Sequence, residues 1–155
     1  MIKKWPWFLV ALFVVVLDQL SKHWMLSHFN LYQTQPLLPM LNLSLTFNTG
    51  ASFGFLSSFD GWQRWFFAFV SSLISLVLIG WIVRLPQNDR ALAFALSLTL
   101  GGAIGNLYDR LKFGYVIDFI DVYYKNHHWP TFNLADSAIC LGAIILLFCL
   151  GKKGG

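Results

Sequence analysis

The sequence predicts a membrane all-α core of four transmembrane helices, with a small extracytoplasmic β-sheet on the membrane surface. Three observations predict it. Of 155 residues, 57% are apolar and only 12% are charged, against roughly 25% charged in a soluble domain. Four apolar stretches each come close to the roughly 20 residues that cross a bilayer. Between the first two, a short segment alternates apolar and polar residues, the period of a strand.

The composition carries the class. Mean hydropathy is +0.60, and the chain holds 15 Phe and 7 Trp. A soluble protein of this size could not cover its surface with so few charges. The net charge of +4 comes from scattered basic residues, which is no footprint for nucleic acid. All seven acidic residues are Asp. Glu is the better helix former, so its absence points to placed carboxylates rather than a solvating coat.

The first apolar stretch covers about residues 7–24. Lys3 and Lys4 before it give it the look of a secretory leader, but no small-x-small cleavage site follows. It runs instead into Asp18, Gln19, Lys22 and His23, which predicts a retained helix. The second stretch covers about 65–83, the third 91–107 and the fourth 134–150, all within one domain over residues 1–155. Lys3 and Lys4, then Arg84 and Arg90, then Lys152 and Lys153 mark three short segments on one side. Dense positive charge predicts that side, and both termini, to be cytoplasmic.

The other side then carries two longer segments, about 25–64 and 108–133. In the first, Leu41, Leu43, Leu45 and Phe47 alternate with Asn42, Ser44, Thr46 and Asn48. This predicts a strand with one face toward lipid or core, and a sheet built mainly from it. Gly50 and Gly54 end the pattern. Cys140 and Cys149 face different sides of one helix, where a packing role is expected.

Ionisable residues in a membrane helix are costly and are functional candidates by default. Asp18 and Lys22, four apart, share a helix face and read either as an ion pair or as part of a site. The third stretch ends in GGAIGNLYDR. Its small residues let another backbone approach, and Asn106, Asp109 and Arg110 follow at helical spacing. Asp118 and Asp121 sit in the apolar run VIDFIDV. Asn133 and Asp136 open the fourth helix, where Asn and Asp also serve as caps.

Asp118 and Asp136 fall at the same boundary. Two carboxylates in a low dielectric do not both ionise; one keeps its proton. Such a pair activates water with one member and hydrogen-bonds a carbonyl with the other. An acid-lined ion or proton path is the alternative reading, and a non-catalytic membrane scaffold is a third. Other chemistries are poorly supported: there is no HExxH, CxxC or Walker loop, no serine nucleophile elbow or Ser-Lys pair stands out, and His23, His28, His127 and His128 form no metal pattern.

Five blocks carry a resemblance. They are LDQLSK at 17–22, FNTGASFG at 47–54, GGAIGNLYDR at 101–110, GYVIDFIDV at 114–122 and FNLADSA at 132–138. In that order, over essentially the full length, the chain resembles bacterial lipoprotein signal peptidase, also called signal peptidase II. The resemblance implies an aspartyl endopeptidase of the bacterial inner membrane. It would remove the signal peptide of prolipoproteins by cleaving before a diacylglyceryl-modified cysteine. It implies a catalytic pair at Asp118 and Asp136. Supporting roles fall to Asp18, Lys22, Asn48, Asn106, Asp109, Arg110 and Asn133. It further implies no cofactor or metal, a monomer among membrane lipids, and inhibition by globomycin-type cyclic peptides. Ser52 departs from the family's usual Ala. The apolar face of 41–48 is expected to cover acyl chains or clamp substrate.

Overall fold

The computed structural model describes residues 4–50, 61–86 and 88–152. Lys3, Lys153, Ser52, Gly54 and the end of the FNTGASFG block therefore lie outside the described residues. Four helices long and apolar enough to span a bilayer are present: α1 Trp5–His28, α2 Trp62–Arg84, α3 Arg90–Phe113 and α4 Leu134–Gly151. Among the described residues there are also four strands: β1 Thr34–Leu38, β2 Leu41–Asn48, β3 Val116–Tyr124 and β4 His127–His128. The strands form one antiparallel sheet in the order β1-β2-β3-β4.

The central helix is α3. In its most apolar window 67% of residues are buried, against 11–22% in the other three helices. It packs on all three of them. Lipid tails are as apolar as side chains, so close backbone approach has to hold membrane helices together. A Cβ at Gly102 would overlap the Ala135 carbonyl oxygen and sit 2.7 Å from Ile139 Cγ1 on α4. The outward faces stay apolar and exposed, as at Phe13, Phe69, Leu147 and Phe148. Such a surface is tolerable only under lipid. Trp24, Trp62 and Trp65 are exposed near the sheet, and Trp5 and Trp81 near the termini. These are two interfacial aromatic belts.

The core divides in two. At the termini end, Ala11, Leu78, Ile82, Leu96 and Leu100 join α1, α2 and α3. Here the Lys4 ammonium donates to the Leu85 carbonyl. At the other end, Met25 of α1 and Phe29, which caps it, pack against Leu45, Ile117 and Phe119 of the sheet. Edge strand β1 is exposed throughout and carries Pro36, a residue that discourages further strand pairing.

The structure departs from the sequence reading in four places. First, α3 runs to Phe113, so residues 108–113 belong to the helix. Its polar residues Asn106 and Asp109 point inward, so the helix has no reason to stop at them. Gly114, at φ 89°, ends it with an N–H to the Arg110 carbonyl. Second, β3 is longer than β2 and supplies as much of the sheet. Third, β2 buries polar Asn42 and Ser44 as well as Leu45. Asn42 Nδ2 donates to Asp121 at 2.8 Å, and Ser44 bonds Thr34 at 2.8 Å. Fourth, Cys140 is exposed, whereas Cys149 is half-buried and packs against the core at the termini end as expected. A small apolar side chain on α4 needs no protein partner where lipid supplies one.

The Gly102 contact generates a test. Gly102→Val should lower the thermal midpoint in detergent, followed by tryptophan fluorescence, at a cost of about 1–3 kcal/mol from overpacking. Gly80→Ala, whose Cβ would meet only Arg84 Nη1 at 3.8 Å, should leave the midpoint in place. Equal midpoints for Gly102→Val and the parent would show that the α3–α4 approach is not tight.

Candidate active site

All nine predicted site residues converge at the sheet end of the bundle. Asp18 and Lys22 come from α1, Asn106, Asp109 and Arg110 from α3. Asn48 ends β2, Asp118 lies on β3, and Asn133 and Asp136 start α4. Asp18, Asp109 and Asn133 are fully buried, Lys22 is 1% exposed and Asp118 is 2% exposed.

The arrangement begins with Lys22. An ammonium has three protons to donate, and three acceptors meet it. These are Asp18 Oδ2 at 2.8 Å, Asp109 Oδ2 at 2.7 Å and Asn106 Oδ1 at 3.0 Å. Each carboxylate also holds another element. Asp18 Oδ1 accepts the Ala135 N–H of α4 at 3.0 Å, and Asp109 Oδ2 accepts the Ile117 N–H of β3 at 3.2 Å. One buried cation thus fixes four elements.

Asn106 passes this order on. Its Oδ1 is occupied by Lys22 and by Asn133 Nδ2 at 3.1 Å. Its Nδ2 is thereby aimed at Asp136 Oδ1, 2.7 Å away. Asn133 is the N-cap of α4 and forms a reciprocal capping box with Asp136, which satisfies two of the helix's free N–H groups. Its Nδ2 also donates to Asp118 Oδ1 at 2.7 Å. Capping and site-building are therefore one role here. Asn48 Nδ2 donates to Asp118 Oδ2 at 3.1 Å, so both oxygens of Asp118 face an asparagine amide.

Asp118 and Asp136 line one cavity of about 570 Å³. Arg110 and Asn48 share its wall, and Trp129, Pro130, Thr131 and Phe132 close one side. Thr131 Oγ1 is tied to Thr46 Oγ1 at 2.7 Å. Burial, and then the neighbouring Asp136 carboxylate, push Asp118 up to about 7, against the pull of the Asn48 and Asn133 amides. Among the described residues, no cluster of His, Cys and Asp is placed to hold a metal ion.

Asp121 is not part of the site. Three residues along a strand turn its side chain away from that of Asp118, and it bonds Asn42 and His128 Nδ1, each at 2.8 Å. Gln19 was not singled out by the sequence reading. Its Nε2 donates to Asp109 Oδ1 at 2.8 Å, and it lies 3.2 Å from Asp18 Oδ2. Its place beside Asp18 inside a span was the available signal. The wall at 129–132 had none, because its role depends on a fold-back onto β3.

The comparisons agree on one family. A model described as signal peptidase (SPase) II matches residues 10–151. The lipoprotein signal peptidase of Cellvibrio japonicus is 50% identical over 143 residues, covering 92% of this chain and 84% of that protein. That of Shewanella halifaxensis is 48% identical over 152 residues, covering 96% and 88%. A bacterial membrane enzyme solved by the in meso method at 2.3 Å superposes with a TM-score of 0.87 at 31% identity, over 97% of this chain and 90% of that one. This four-helix membrane chain, matched over nearly all of its sequence, therefore belongs to the signal peptidase II family.

Proposed function

We propose that Asp118 and Asp136 are the catalytic pair of an intramembrane aspartyl endopeptidase, which frees prolipoproteins of their signal peptide by cutting before a diacylglyceryl-modified cysteine. The observation that carries this reading is the shared cavity. Both carboxylates line it, and each is held by an asparagine amide. The pair titrates as a unit. Asp118, raised to about 7, holds the proton at rest and hydrogen-bonds the scissile carbonyl.

Asp136 then takes a proton from water as its oxygen attacks the carbonyl carbon. The resulting oxyanion takes the proton of Asp118. Collapse re-forms the carbonyl as one hydroxyl returns its proton to Asp118, and the C–N bond breaks as Asp136 gives its proton to the leaving amine. Arg110, on the cavity wall, supplies positive charge near the developing oxyanion. No metal and no cofactor enter this scheme.

The sheet end faces the extracytoplasmic side in this reading, with both termini cytoplasmic. Lys4, Arg84, Arg90 and Lys152 all sit at the termini end, as the rule for positive charge requires. A lipidated cysteine at the outer end of a signal helix would meet the pair at that depth. The apolar part of the wall, with Val116, Phe132 and Ile139, suits an extended peptide or the ring of a globomycin-type inhibitor. The working form is a monomer surrounded by lipid.

Three outcomes are expected. With a diacylglyceryl-modified prolipoprotein in detergent, Asp118→Asn and Asp136→Asn should each cut cleavage by about 10²–10⁴-fold while helical circular dichroism is kept. Near-normal turnover in either would exclude the pair. Cleavage by the parent should fall as pH rises through about 7, where the pair loses its shared proton; a rate still rising at pH 8 would contradict a singly protonated pair. Stability has its own sign. An unfolded Asp titrates near 4, so the folded chain binds this proton more tightly. The stabilisation is full below about pH 4 and is lost as pH rises through about 7. The thermal midpoint of Asp118→Asn should therefore gain on the parent between pH 4 and pH 8, and a constant difference would contradict the raised value.

A further inference from the structure

A second cavity, of about 360 Å³, lies between α1 and α3 and shares no lining residue with the first. Both helices run from the termini end to the sheet end, so their higher-numbered residues lie nearer the sheet. The groove is graded accordingly. Val16 and Leu20 line it toward the bilayer centre, and His23 and Lys112 line it at the sheet end. Val16, Leu20 and Tyr108 are exposed, so the groove opens sideways.

The cation at its mouth is held in place. Lys112 Nζ donates to the Tyr108 hydroxyl at 3.1 Å and lies over the rings of Tyr108 and Phe113, at 5.3 and 4.9 Å. A second cation, Arg64 of α2, is fixed one residue away by its bond to the Leu111 carbonyl at 2.6 Å. No Asp lines the groove. The nearest, Asp18 and Asp109, are bound to Lys22 behind it.

We propose that this groove binds one anionic phospholipid, with its phosphate at Lys112 and His23 and an acyl chain along Val16 and Leu20. The graded polarity matches a lipid standing in the leaflet next to the sheet. The fixed positive charge selects its headgroup, because a zwitterionic lipid brings a cation of its own. The back of the groove is Gln19, Lys22 and Ile117, all members of the hydrogen-bond network described above. A bound chain therefore covers the outer side of that network and keeps water from it.

The test is native mass spectrometry of the full chain released from nanodiscs of equal phosphatidylglycerol and phosphatidylcholine. The parent should retain one phosphatidylglycerol with a preference of about fivefold, the equivalent of about 1 kcal/mol for a basic residue at an anionic surface. Lys112→Ala should lose the preference and Lys112→Arg should keep it. Lys125→Ala, on the β3–β4 turn outside the groove, should also keep it. Equal retention of the two lipids by the parent, a preference that survives Lys112→Ala, or equal losses in Lys112→Ala and Lys125→Ala would each overturn the site. The readout is lipid mass, so it stands apart from whether the carboxylate pair cleaves peptide.

Discussion

The Lys22 ammonium is the constraint on which the sheet end depends. An unpaired charge in this setting would neutralise rather than stay buried, and removing one partner of a buried pair typically costs about 3–5 kcal/mol. Lys22 avoids both outcomes because its acceptors are all supplied, from α1 and α3. Those acceptors also hold α4 and β3 through backbone N–H groups. The helices therefore cannot slide or rotate without stripping a partner from a buried charge. Gly105 makes the geometry possible. A Cβ there would sit 2.6 Å from Asp18 Oδ2, so any side chain would displace the carboxylate that reaches across α3.

The same network decides the electrostatics of the pair. Two cations, Lys22 and Arg110, face four carboxylates. One proton on Asp118 and Asp136 leaves a single net negative charge, and a second ionisation would double it in a low dielectric. Neutral amides rather than further cations contact the pair directly. Each amide has its oxygen occupied elsewhere, Asn106 by Lys22 and Asn133 by the Asp136 N–H. Their NH₂ groups are thereby turned toward the carboxylates, at 2.7 Å in each case. A Lys or Arg in those places would bind both carboxylates as anions and empty the pair of its proton.

Much of this was legible before the structure. The four spans were clear because long apolar runs have few alternatives, and β2 matches the alternating segment at 41–48. Most of the candidate site residues were legible as polar residues out of place, Asp18 and Lys22 within a span and Asp118 between Ile117 and Phe119, whereas Asn48 was reached only through the family resemblance. What stayed hidden needs three dimensions. Asn133 looked like a cap or a site residue, and it is both, because the cap sits where α4 meets Asp118. Asp121 stood in the same apolar run as Asp118, yet strand alternation sends it to Asn42 and His128. The polar face of β2 is also buried, because β1 and β3 supply partners that local sequence does not reveal.

The sheet answers a problem that helices alone leave open. One carboxylate can ride on a helix end, as Asp136 does, but its partner must approach from a different segment at nearly the same depth. A loop there would carry unsatisfied backbone groups, which lipid does not tolerate. Asp118 arrives instead on a strand whose backbone is already bonded on both sides. β2 pairs with one edge. On the other edge, Phe119 and Ile120 donate to the Phe132 carbonyl at 3.0 and 2.8 Å, and the Ile117 carbonyl faces Asn133 Nδ2 at 3.3 Å. The strand can therefore stand at the membrane boundary without drawing water to itself, and polar capacity in the cavity is left to the two carboxylates and the groups that orient them.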